Sequence, residues 1–416
     1  MDKIITIGGN PLKGKVKVSG AKNAVLPIMA AALLVDGVTK VKRVPNLRDT
    51  RTMARLLEIV GARIRFEKDE MAIDARSVNN PVAPYELVKT MRASFYVLGP
   101  LLSRFGLAKV SMPGGCAWGP RPVDFHLKGL EKLGAEVTLE GGYIIARAKR
   151  LVGNRIRFDI PSVGATGNIV MAAVTAKGTT VIENAAREPE IVQLCRLLNK
   201  MGGEIHGIGT DELTINGVDE LTPQAVEVIP DRIEAGTFLI AGAALGEICV
   251  CGVKPEHLNA VIEKIEETGA KITINKDAIT VKSASKVLPV DVTTAVYPGF
   301  PTDLQAQWIA LMSIADGSSI VTDTIYHDRF SHVPELNRLG ANIKVENNVA
   351  FVRGQKELIG APVMSTDIRA SASLIIGGLL AKGRTDISRV YHIDRGYENI
   401  EEKFRSLGAK IWRESE

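Results

Sequence analysis

A cysteine, an arginine, an aspartate and a histidine lie close together in one short stretch, Met112–His126 (MPGGCAWGPRPVDFH). Six of the ten residues at positions 113–122 are glycine or proline, a composition that interrupts both helices and strands. The stretch is therefore predicted to be a loop that presents Cys116, Arg121, Asp124 and His126. A thiol beside a guanidinium on such a loop is typical of a lid over an anionic ligand. The alternative is a surface loop with an incidental thiol, and the stretch alone does not separate the two.

The other three cysteines lie in apolar patterns. Cys249 and Cys251 alternate in the run EICVCGV and are predicted to be buried in a strand, and Cys195 in VQLCRLLNKM is predicted to be part of a helix core. We therefore expect Cys116 to be the reactive thiol and the others to be inert. No cysteine and histidine spacing is of the metal-binding type, so we expect no metal. Free thiols are usual in a reducing cytoplasm, which is the expected location.

The length and the charge of the chain limit the classes of protein to which it can belong. A chain of 416 residues with 45% hydrophobic and 24% charged residues is ordinary for a soluble globular protein of two or three domains. The net charge of +5 is dispersed, with no Lys/Arg run longer than two residues, which argues against a nucleic-acid partner. The N-terminus lacks the apolar core of a signal peptide, and Glu247 interrupts the longest apolar region. We expect small anionic ligands, no nucleic acid and no membrane.

The elements that must position these residues recur along the chain. A helix-like segment ends in a glycine pair or Gly-Ala and runs directly into a short alternating strand, as in LLEIVGARIRF. The glycine is predicted to cap the helix in the left-handed backbone region. Six such endings at nearly constant spacing indicate a repeated fold unit of about 70 residues. The first glycines of the endings are residues 61, 134, 202, 269, 340 and 408.

Each repeat also contains an earlier helix that is almost entirely apolar, such as AVLPIMAAALL after Ser19. A helix that is apolar on all sides must be buried, so we predict that the repeats pack these helices together behind sheets. Six repeats then form two domains of three, divided near residues 228–230.

Polar residues interrupt the apolar pattern at equivalent points of the repeats. Small residues surround most of those at the helix starts, which leaves helix N-termini open to an anion. One set lies at the helix starts: Lys22, Asn23, Arg92, Ser162, Thr166, Asp231, Arg232, Glu234, Thr302, Asp303, Asp367 and Arg369. A second set follows the next strand: Arg48, Arg121, Arg187, Glu188, Lys254, Arg329 and Arg395.

Each of these residues alone has a simpler explanation. A single arginine at a helix start is usually exposed or part of a surface ion pair, and Asp303 after Pro301 and Thr302 is a candidate helix cap. Because the charged residues recur at matching positions of the repeats, we favour the alternative that they form a cationic site for phosphates and carboxylates.

Ten motifs carry a resemblance that covers the whole chain. They are SGAKNA (19–24), MRASFYVLGPLL (91–102), GGCAWGPRPVDFHL (114–127), SVGAT (162–166), ENAAREPEI (183–191), PDRIEAGTF (230–238), GFPTDLQAQ (299–307), RFSHVPEL (329–336), DIRASAS (367–373) and IDRGYE (393–398). Together they resemble the enolpyruvyl transferase family, and the cysteine-containing PVDFH loop resembles its amino-sugar branch. The resemblance implies an α/β fold of two inverse α/β barrels (prisms), each with three βαβαββ repeats and the helices inside. It also implies domain boundaries at 22–229 for the first domain and at 1–21 with 230–416 for the second.

The resemblance implies transfer of the enolpyruvyl group of phosphoenolpyruvate to the 3′-hydroxyl of UDP-N-acetylglucosamine, with release of phosphate. This is the first committed step of peptidoglycan synthesis and needs no cofactor. The implied catalytic residues are Cys116, Asp303, Lys22 and Arg395. The implied phosphoenolpyruvate ligands are Lys22, Asn23, Arg92, Cys116, Arg121, Arg329, Arg369 and Arg395. The implied contacts to the nucleotide sugar are Asn23, Arg92, Arg121, Pro122, Val123, Asp124, Phe125, Ser162, Val163, Gly164, Asp303 and Ile325.

One departure and two alternatives stand beside this interpretation. Ile160 and Pro161 occupy a place where some relatives carry a lysine that reaches a diphosphate. The first alternative is an enolpyruvyl transferase that acts on shikimate 3-phosphate. The second is a non-catalytic repeat scaffold, which is expected to expose aromatic or apolar binding faces rather than charges at its helix starts.

Overall fold

The computed structural model describes residues 2–112 and 123–415, which divide into two compact units. The first unit comprises residues 20–112 and 123–229, and the second comprises residues 2–19 and 230–415. The units change over at residues 19–20 and 229–230, whereas the predicted domains, 22–229 and 1–21 with 230–416, change over at residues 21–22 and 229–230.

The chain begins with two strands of the second unit and then forms the whole first unit. The strands are β1 (Asp2–Ile7) and β2 (Leu12–Lys17). The first unit follows as α1 (Lys22–Ala31), β3 (Val38–Lys42), α2 (Arg48–Ile59), β4 (Arg63–Glu67), β5 (Glu70–Asp74), β6 (Val82–Ala83), α3 (Tyr85–Val88), α4 (Leu98–Phe105), β7 (Leu107–Ser111), α5 (Asp124–Lys132), β8 (Glu136–Glu140), β9 (Tyr143–Arg147), β10 (Arg155–Arg157), α6 (Val163–Ala173), β11 (Thr179–Glu183), α7 (Pro189–Lys200), β12 (Glu204–His206), β13 (Glu212–Asn216) and β14 (Ala225–Glu227), with 3-10 helices at Ala32–Leu34 and Arg92–Val97.

The remainder of the second unit repeats the same order of elements. It comprises α8 (Arg232–Leu245), β15 (Gly246–Cys251), α9 (Asn259–Glu267), β16 (Lys271–Asn275), β17 (Ala278–Lys282), β18 (Val292–Thr294), α10 (Gln305–Met312), β19 (Ser318–Asp323), α11 (Val333–Arg338), β20 (Asn342–Glu346), β21 (Val349–Arg353), β22 (Pro362–Met364), α12 (Ile368–Leu380), β23 (Arg384–Ser388), α13 (Ile400–Ser406) and β24 (Lys410–Ser415), with 3-10 helices at Pro255–His257, Thr302–Leu304 and Val390–Arg395.

The strands of the described residues form six four-stranded sheets, three in each unit. In the first unit their orders are β14-β3-β5-β4, β6-β7-β9-β8 and β10-β11-β13-β12. In the second unit they are β16-β17-β15-β2, β18-β19-β21-β20 and β22-β23-β1-β24. Each sheet combines one parallel pair with two antiparallel pairs, as β10 with β11 and β11 with β13 illustrate. The predicted α/β class and the six βαβαββ repeats are confirmed.

The two N-terminal strands complete sheets whose other strands lie far away in sequence. Strand β1 pairs antiparallel with both β23 and β24, with Ile4 opposite Ile387 and Ile5 opposite Trp412. Strand β2 pairs parallel with β15. The N-terminal strands thus belong to the second unit, and the chain passes from one unit to the other at residues 19–20 and 229–230.

The recurring glycines cap their helices as predicted. All six have positive φ, from 87° at Gly269 to 109° at Gly202, where a side chain is strained. At Gly340 the amide donates to the Asn337 carbonyl, and the next amide, of Ala341, donates to Leu336. These are the two hydrogen bonds of a Schellman motif, which ends the helix and directs the chain into the strand.

The apolar helices of the repeats form the interior of each unit, as predicted. All eight residues of α10 are buried, and Trp308, the largest fully buried side chain among the described residues, donates its indole N–H to the Val290 carbonyl over 3.3 Å. Helices α1, α4 and α6 fill the first unit in the same way, and α8 and α12 join α10 in the second.

Two local expectations are wrong. Helix α5 begins at Asp124, so Asp124 and His126 are helical rather than part of a loop, because the last proline of the stretch is Pro122. Cys249 and Cys251 do lie in a strand, β15, but they face away from Ile248 and Val250 and are only half-buried. Within the described residues no helix is both long and apolar enough to cross a membrane.

Candidate functional site

Asp303 of the second unit is held between two arginines. It lies in the 3-10 helix Thr302–Leu304 that leads into α10. One carboxylate oxygen, Oδ1, is 2.7 Å from Arg329 Nη2, and the other, Oδ2, is 2.7 Å from Arg369 Nη2. The side chains of Arg329 and Arg369 are 6% and 7% exposed, whereas that of Asp303 is 23% exposed. The carboxylate is therefore open to a ligand while its two cationic partners are buried.

These charges determine the protonation state of Asp303. Burial by itself raises the pKa of Asp303, but the charges and hydrogen bonds of Arg369 and Arg329 outweigh it and hold the pKa well below its usual value. The carboxylate is consequently ionised at neutral pH. It is not a helix cap, since its oxygens face guanidinium groups rather than the amides of α10.

A buried aspartate at the end of β19 organises Arg329. Thr302 accepts a hydrogen bond from Arg329 Nη1 over 2.9 Å and donates to Asp323 Oδ2 over 2.7 Å. The other oxygen of Asp323 accepts from the amides of Ile325 and Tyr326, both over 2.9 Å. Asp323 thus holds the turn that carries Ile325, a predicted contact of the nucleotide sugar, and fixes the threonine that orients Arg329.

Arg369 is positioned through the start of α12. Asp367 is the N-cap residue of this helix, and its Oδ1 accepts from the amides of Arg369 and Ala370. The Asp367 carboxylate thereby fixes the backbone of Arg369. The guanidinium of Arg369 is held instead by Asp303 and by the hydroxyl of Tyr397, which accepts from Nη1 over 3.2 Å.

Arg395 is the last residue of the 3-10 helix Val390–Arg395, in the same repeat as Arg369. The residue before it, Asp394, is bound by the Arg413 guanidinium of β24, with Nη1 donating to Oδ2 over 3.0 Å. Arg413 also contacts Glu401 of α13. This ion-pair network ties the short helix that carries Arg395 to the adjacent strand and helix.

In the first unit, Lys22 and Asn23 are the first two residues of α1, and both are half-buried. The Lys22 ammonium lies 3.3 Å from Oδ2 of Asp49, a buried residue in the first turn of α2. Arg92 begins the 3-10 helix that precedes α4. Cationic side chains therefore stand at the start of two of the unit's interior helices.

Val163 and Gly164 form the first turn of α6, and Ser162 is its N-cap, accepting from the Ala165 amide over 3.3 Å. The start of this helix faces His126 of α5, because a Cβ on Gly164 would lie 3.1 Å from Nε2 of His126. Nδ1 of His126 is 3.0 Å from the Asn168 amide nitrogen. Burial, with a further contribution from Arg92, lowers the pKa of His126 to about 3, so this ring is neutral. Half-buried Val123, Asp124 and Phe125 lie beside it along the chain.

The structure thus groups the predicted site residues within each unit. The second unit brings together Asp303, Arg329 and Arg369, and the first places Lys22, Asn23 and Arg92 at helix starts and Ser162, Val163 and Gly164 near His126. Cys116, Arg121 and Pro122 lie outside the described residues. Glu234 has a structural role, since it is buried, accepts from the Ser19 amide and pairs with Lys403. Among residues 2–112 and 123–415, no three His, Cys, Asp or Glu side chains are placed to hold a metal ion.

Sequence reasoning missed the residues that hold the charged groups in place: Asp49, Thr237, Gln307, Asp323 and Tyr397. Three of them lie inside quoted motifs: Thr237 in PDRIEAGTF, Gln307 in GFPTDLQAQ and Tyr397 in IDRGYE. Their neighbours in these motifs are the only signal that pointed to them, because a buried amide or phenol has no distinctive spacing.

Comparisons with known proteins extend over the whole chain. The family described as EPSP synthase (3-phosphoshikimate 1-carboxyvinyltransferase) matches residues 7–404. A UDP-N-acetylglucosamine 1-carboxyvinyltransferase of Chloroherpeton thalassium is 58% identical over 100% of this chain and 98% of its own length. One of Desulfosudis oleivorans is 54% identical over 99% of both chains.

Two solved structures have the same fold. The enolpyruvyl transferase NikO from Streptomyces tendae has a TM-score of 0.90 at 25% identity, covering 99% of this chain and 98% of its own. The EPSP synthase from Acinetobacter baumannii has a TM-score of 0.76 at 18% identity, with both chains fully covered, and at that identity the likeness concerns the fold alone. The chain therefore belongs to the enolpyruvyl transferase family, where its full-length similarity groups it with the UDP-N-acetylglucosamine 1-carboxyvinyltransferases.

Proposed function

We propose that this protein transfers the enolpyruvyl group of phosphoenolpyruvate to the 3′-hydroxyl of UDP-N-acetylglucosamine and releases phosphate. The observation that carries the proposal is the 58% identity, over the full length, to a UDP-N-acetylglucosamine 1-carboxyvinyltransferase. In the second unit, an ionised carboxylate between two buried arginines supports the proposal, because it provides a proton acceptor beside cationic groups. The reaction is the first committed step of peptidoglycan precursor synthesis.

The chemistry is an addition followed by an elimination. The sugar oxygen attacks C2 of phosphoenolpyruvate while C3 gains a proton, and a proton and phosphate then leave. Such a reaction requires a base at the hydroxyl, an acid at C3 and cations at the phosphate and the carboxylate. We assign Asp303 as the base and Cys116 as the group at C3, with Lys22 and Arg395 as cationic catalytic residues.

The arginines beside Asp303 have two effects on its role as base. They fix the direction of both carboxylate oxygens, but they also lower the pKa of Asp303 and so weaken it as a base. An anionic substrate that binds Arg329 and Arg369 offsets their charge, which raises the pKa of Asp303 towards the range in which a base is effective. In this proposal the carboxylate becomes basic only when phosphoenolpyruvate is bound.

The remaining residues are assigned to one or both of the two substrates. The phosphoenolpyruvate ligands are Lys22, Asn23, Arg92, Cys116, Arg121, Arg329, Arg369 and Arg395. The nucleotide sugar contacts Asn23, Arg92, Arg121–Phe125, Ser162–Gly164, Asp303 and Ile325. The two compact units are the two domains of the enzyme, and its partners are these small molecules rather than nucleic acid. We place the reaction in the cytoplasm because phosphoenolpyruvate and nucleotide sugars are produced there.

A phosphate-release assay with phosphoenolpyruvate and UDP-N-acetylglucosamine tests the proposal. We expect phosphate release that requires both substrates, and a product whose mass exceeds that of the nucleotide sugar by one enolpyruvyl group. The matched arm replaces the nucleotide sugar with shikimate 3-phosphate, the acceptor indicated by the description of the matching family model. Phosphate release in that arm alone would contradict the proposed acceptor while leaving the reaction class intact.

A further inference from the structure

The hydroxyl of Tyr397 lies in the interior of the second unit among three polar side chains. Tyr397 is 2% exposed, and both Thr237 of α8 and Gln307 of α10 are fully buried. The phenol oxygen is 2.9 Å from Thr237 Oγ1, 3.1 Å from Gln307 Nε2 and 3.2 Å from Arg369 Nη1. A buried hydroxyl with three polar neighbours has a defined orientation, and the neighbours determine which of them receives its proton.

The direction of each hydrogen bond follows from counting protons. The Thr237 hydroxyl donates its single proton to the Ile233 carbonyl over 2.8 Å, so it accepts in its contact with Tyr397. The Tyr397 hydroxyl therefore donates to Thr237. Its oxygen is left to accept from Arg369 Nη1, which carries only N–H donors. The two protons of Gln307 Nε2 are shared among the Tyr397 oxygen, the Thr237 oxygen and the Asp303 carbonyl, each 3.1 Å away. Burial raises the pKa of Tyr397, so the hydroxyl keeps its proton.

The guanidinium of Arg369 is consequently held at two points. Nη2 donates to Asp303 Oδ2 over 2.7 Å, and Nη1 donates to the Tyr397 oxygen over 3.2 Å. The same Gln307 amide nitrogen that contacts Tyr397 is 3.1 Å from the backbone carbonyl of Asp303. The phenol and the amide together link the carboxylate, its own backbone and its arginine partner.

We propose that Tyr397 is a positioning residue for Asp303: by fixing Arg369, its hydroxyl holds the Asp303 carboxylate in the direction that proton abstraction requires. This inference rests on the proposed function of Asp303 as the base. Tyr397 itself does not touch the reacting atoms in this scheme. Its contribution is to prevent Arg369 from rotating away from Oδ2.

Tyr397→Phe removes the hydroxyl and retains the buried ring beside Arg369. We expect kcat for phosphate release to fall about tenfold or more, the effect of losing one hydrogen bond to a charged group. KM for UDP-N-acetylglucosamine is expected to change by less than about threefold, because Arg369 is a proposed ligand of phosphoenolpyruvate and not of the nucleotide sugar. Tyr143→Phe, which removes a phenol hydroxyl from β9 in the first unit, is the matched control and is expected to match the wild type.

A double-mutant cycle identifies the route of the effect. In an Arg369→Lys background the bond from Nη1 is already absent, so adding Tyr397→Phe is expected to lower kcat by less than about twofold. A full tenfold fall in that background would overturn the proposal, and so would an unchanged kcat in the single variant. If the wild-type protein released no phosphate, the result would instead contradict the proposed function.

Thermal unfolding separates positioning from a folding defect. If Tyr397→Phe does not fold, Thr237→Val replaces it, since this variant of nearly equal shape removes the hydroxyl that contacts both Tyr397 and Gln307. We expect Thr237→Val to lower kcat by a smaller factor than Tyr397→Phe, with KM for UDP-N-acetylglucosamine unchanged. A change confined to KM, or none at all, would overturn the proposal.

Discussion

At the scale of single residues, the ionised state of Asp303 depends on two buried neighbours rather than on its own exposure. Asp303→Asn preserves the shape and removes the base, so we expect kcat to fall by about 10²-fold or more with a modest change in KM. Asp316→Asn, which removes an exposed carboxylate paired with Lys286 in the same unit, is the control. Should kcat survive within a few-fold, Asp303 would be only an ion-pair partner of its arginines.

The depressed pKa of Asp303 also predicts how stability depends on pH. A carboxylate whose pKa is lowered by folding stabilises the protein above its unfolded pKa, about 3.9, and this contribution disappears as pH falls through the folded value. Urea unfolding is therefore expected to give a constant stability difference between wild type and Asp303→Asn from pH 7 to pH 5. Below about pH 4 the difference should shrink. A difference that already shrinks between pH 7 and pH 5 would contradict the depressed pKa.

The four thiols are expected to differ in reactivity. The phosphoenolpyruvate-mimicking epoxide fosfomycin should add to Cys116 and abolish turnover, whereas Cys195 should remain unmodified because burial raises its pKa to about 12. Cys249 and Cys251 are half-buried, with their sulfurs 3.6 Å apart, and are expected to react with a small maleimide but not with fosfomycin. Peptide mass spectrometry checks the positions of the adducts. A fosfomycin adduct on any cysteine other than Cys116 would refute the assignment.

At the scale of elements, the glycine that ends the second helix of each repeat places the following strand. Gly340 has φ of 89° and no atom within 4 Å of the position of a Cβ, so a substitution there tests the backbone conformation alone. We expect Gly340→Ala to destabilise the protein by about 1 kcal/mol, since alanine adopts the left-handed region at that cost. Gly340→Asn is expected to cost less, because asparagine tolerates this region better.

Urea unfolding of the two variants measures the difference. Equal destabilisation by alanine and asparagine would mean that the glycine serves close packing rather than its left-handed conformation. Activity is expected to be retained in both, because the α11–β20 turn carries none of the proposed site residues.

At the scale of the whole molecule, each unit has its own hydrophobic core. The core of the second unit includes Ile4 of β1 together with residues from 233 to 411, whereas the core of the first is drawn from residues 21–228. Ile4→Ala is therefore expected to cost about 2–5 kcal/mol in the second unit although the mutation lies at the start of the chain. Hydrogen exchange measured by mass spectrometry should rise in β23 and β24, the neighbours of β1.

Ile28→Ala is the matched control for this experiment, because Ile28 is equally buried in α1 of the first unit. We expect its faster exchange to be confined to residues 20–229. If Ile4→Ala accelerated exchange only near its own strand, the N-terminal strand would be an appendage rather than part of the second core.

Much of this organisation is readable from the sequence by itself. The six glycines, the apolar helices and the alternating strands are local patterns, and local backbone preference and burial are sufficient to translate them into repeats, caps and interior helices. The charged residues at the helix starts can be recognised from the sequence as well, since a charged side chain within an apolar pattern needs surroundings that compensate its charge. The whole-chain resemblance then supplied the expected roles of these residues.

Only the tertiary structure decided which charges meet. Asp303 and Arg369 are 66 residues apart, and Arg369 reaches Tyr397 across a further 28. The repeat of about 70 residues places the helix starts at equivalent points, but it does not show which of their side chains touch. The pairing of β1 with β23 and β24, and the half-exposure of Cys249 and Cys251, likewise depend on which face of a sheet meets the core. The first residue of α5 was likewise not predictable, because the composition of a glycine- and proline-rich stretch does not show at which residue a helix can begin. Spacing along the chain identifies the kind of group that is present, but its protonation and direction come from neighbours that the fold brings from elsewhere.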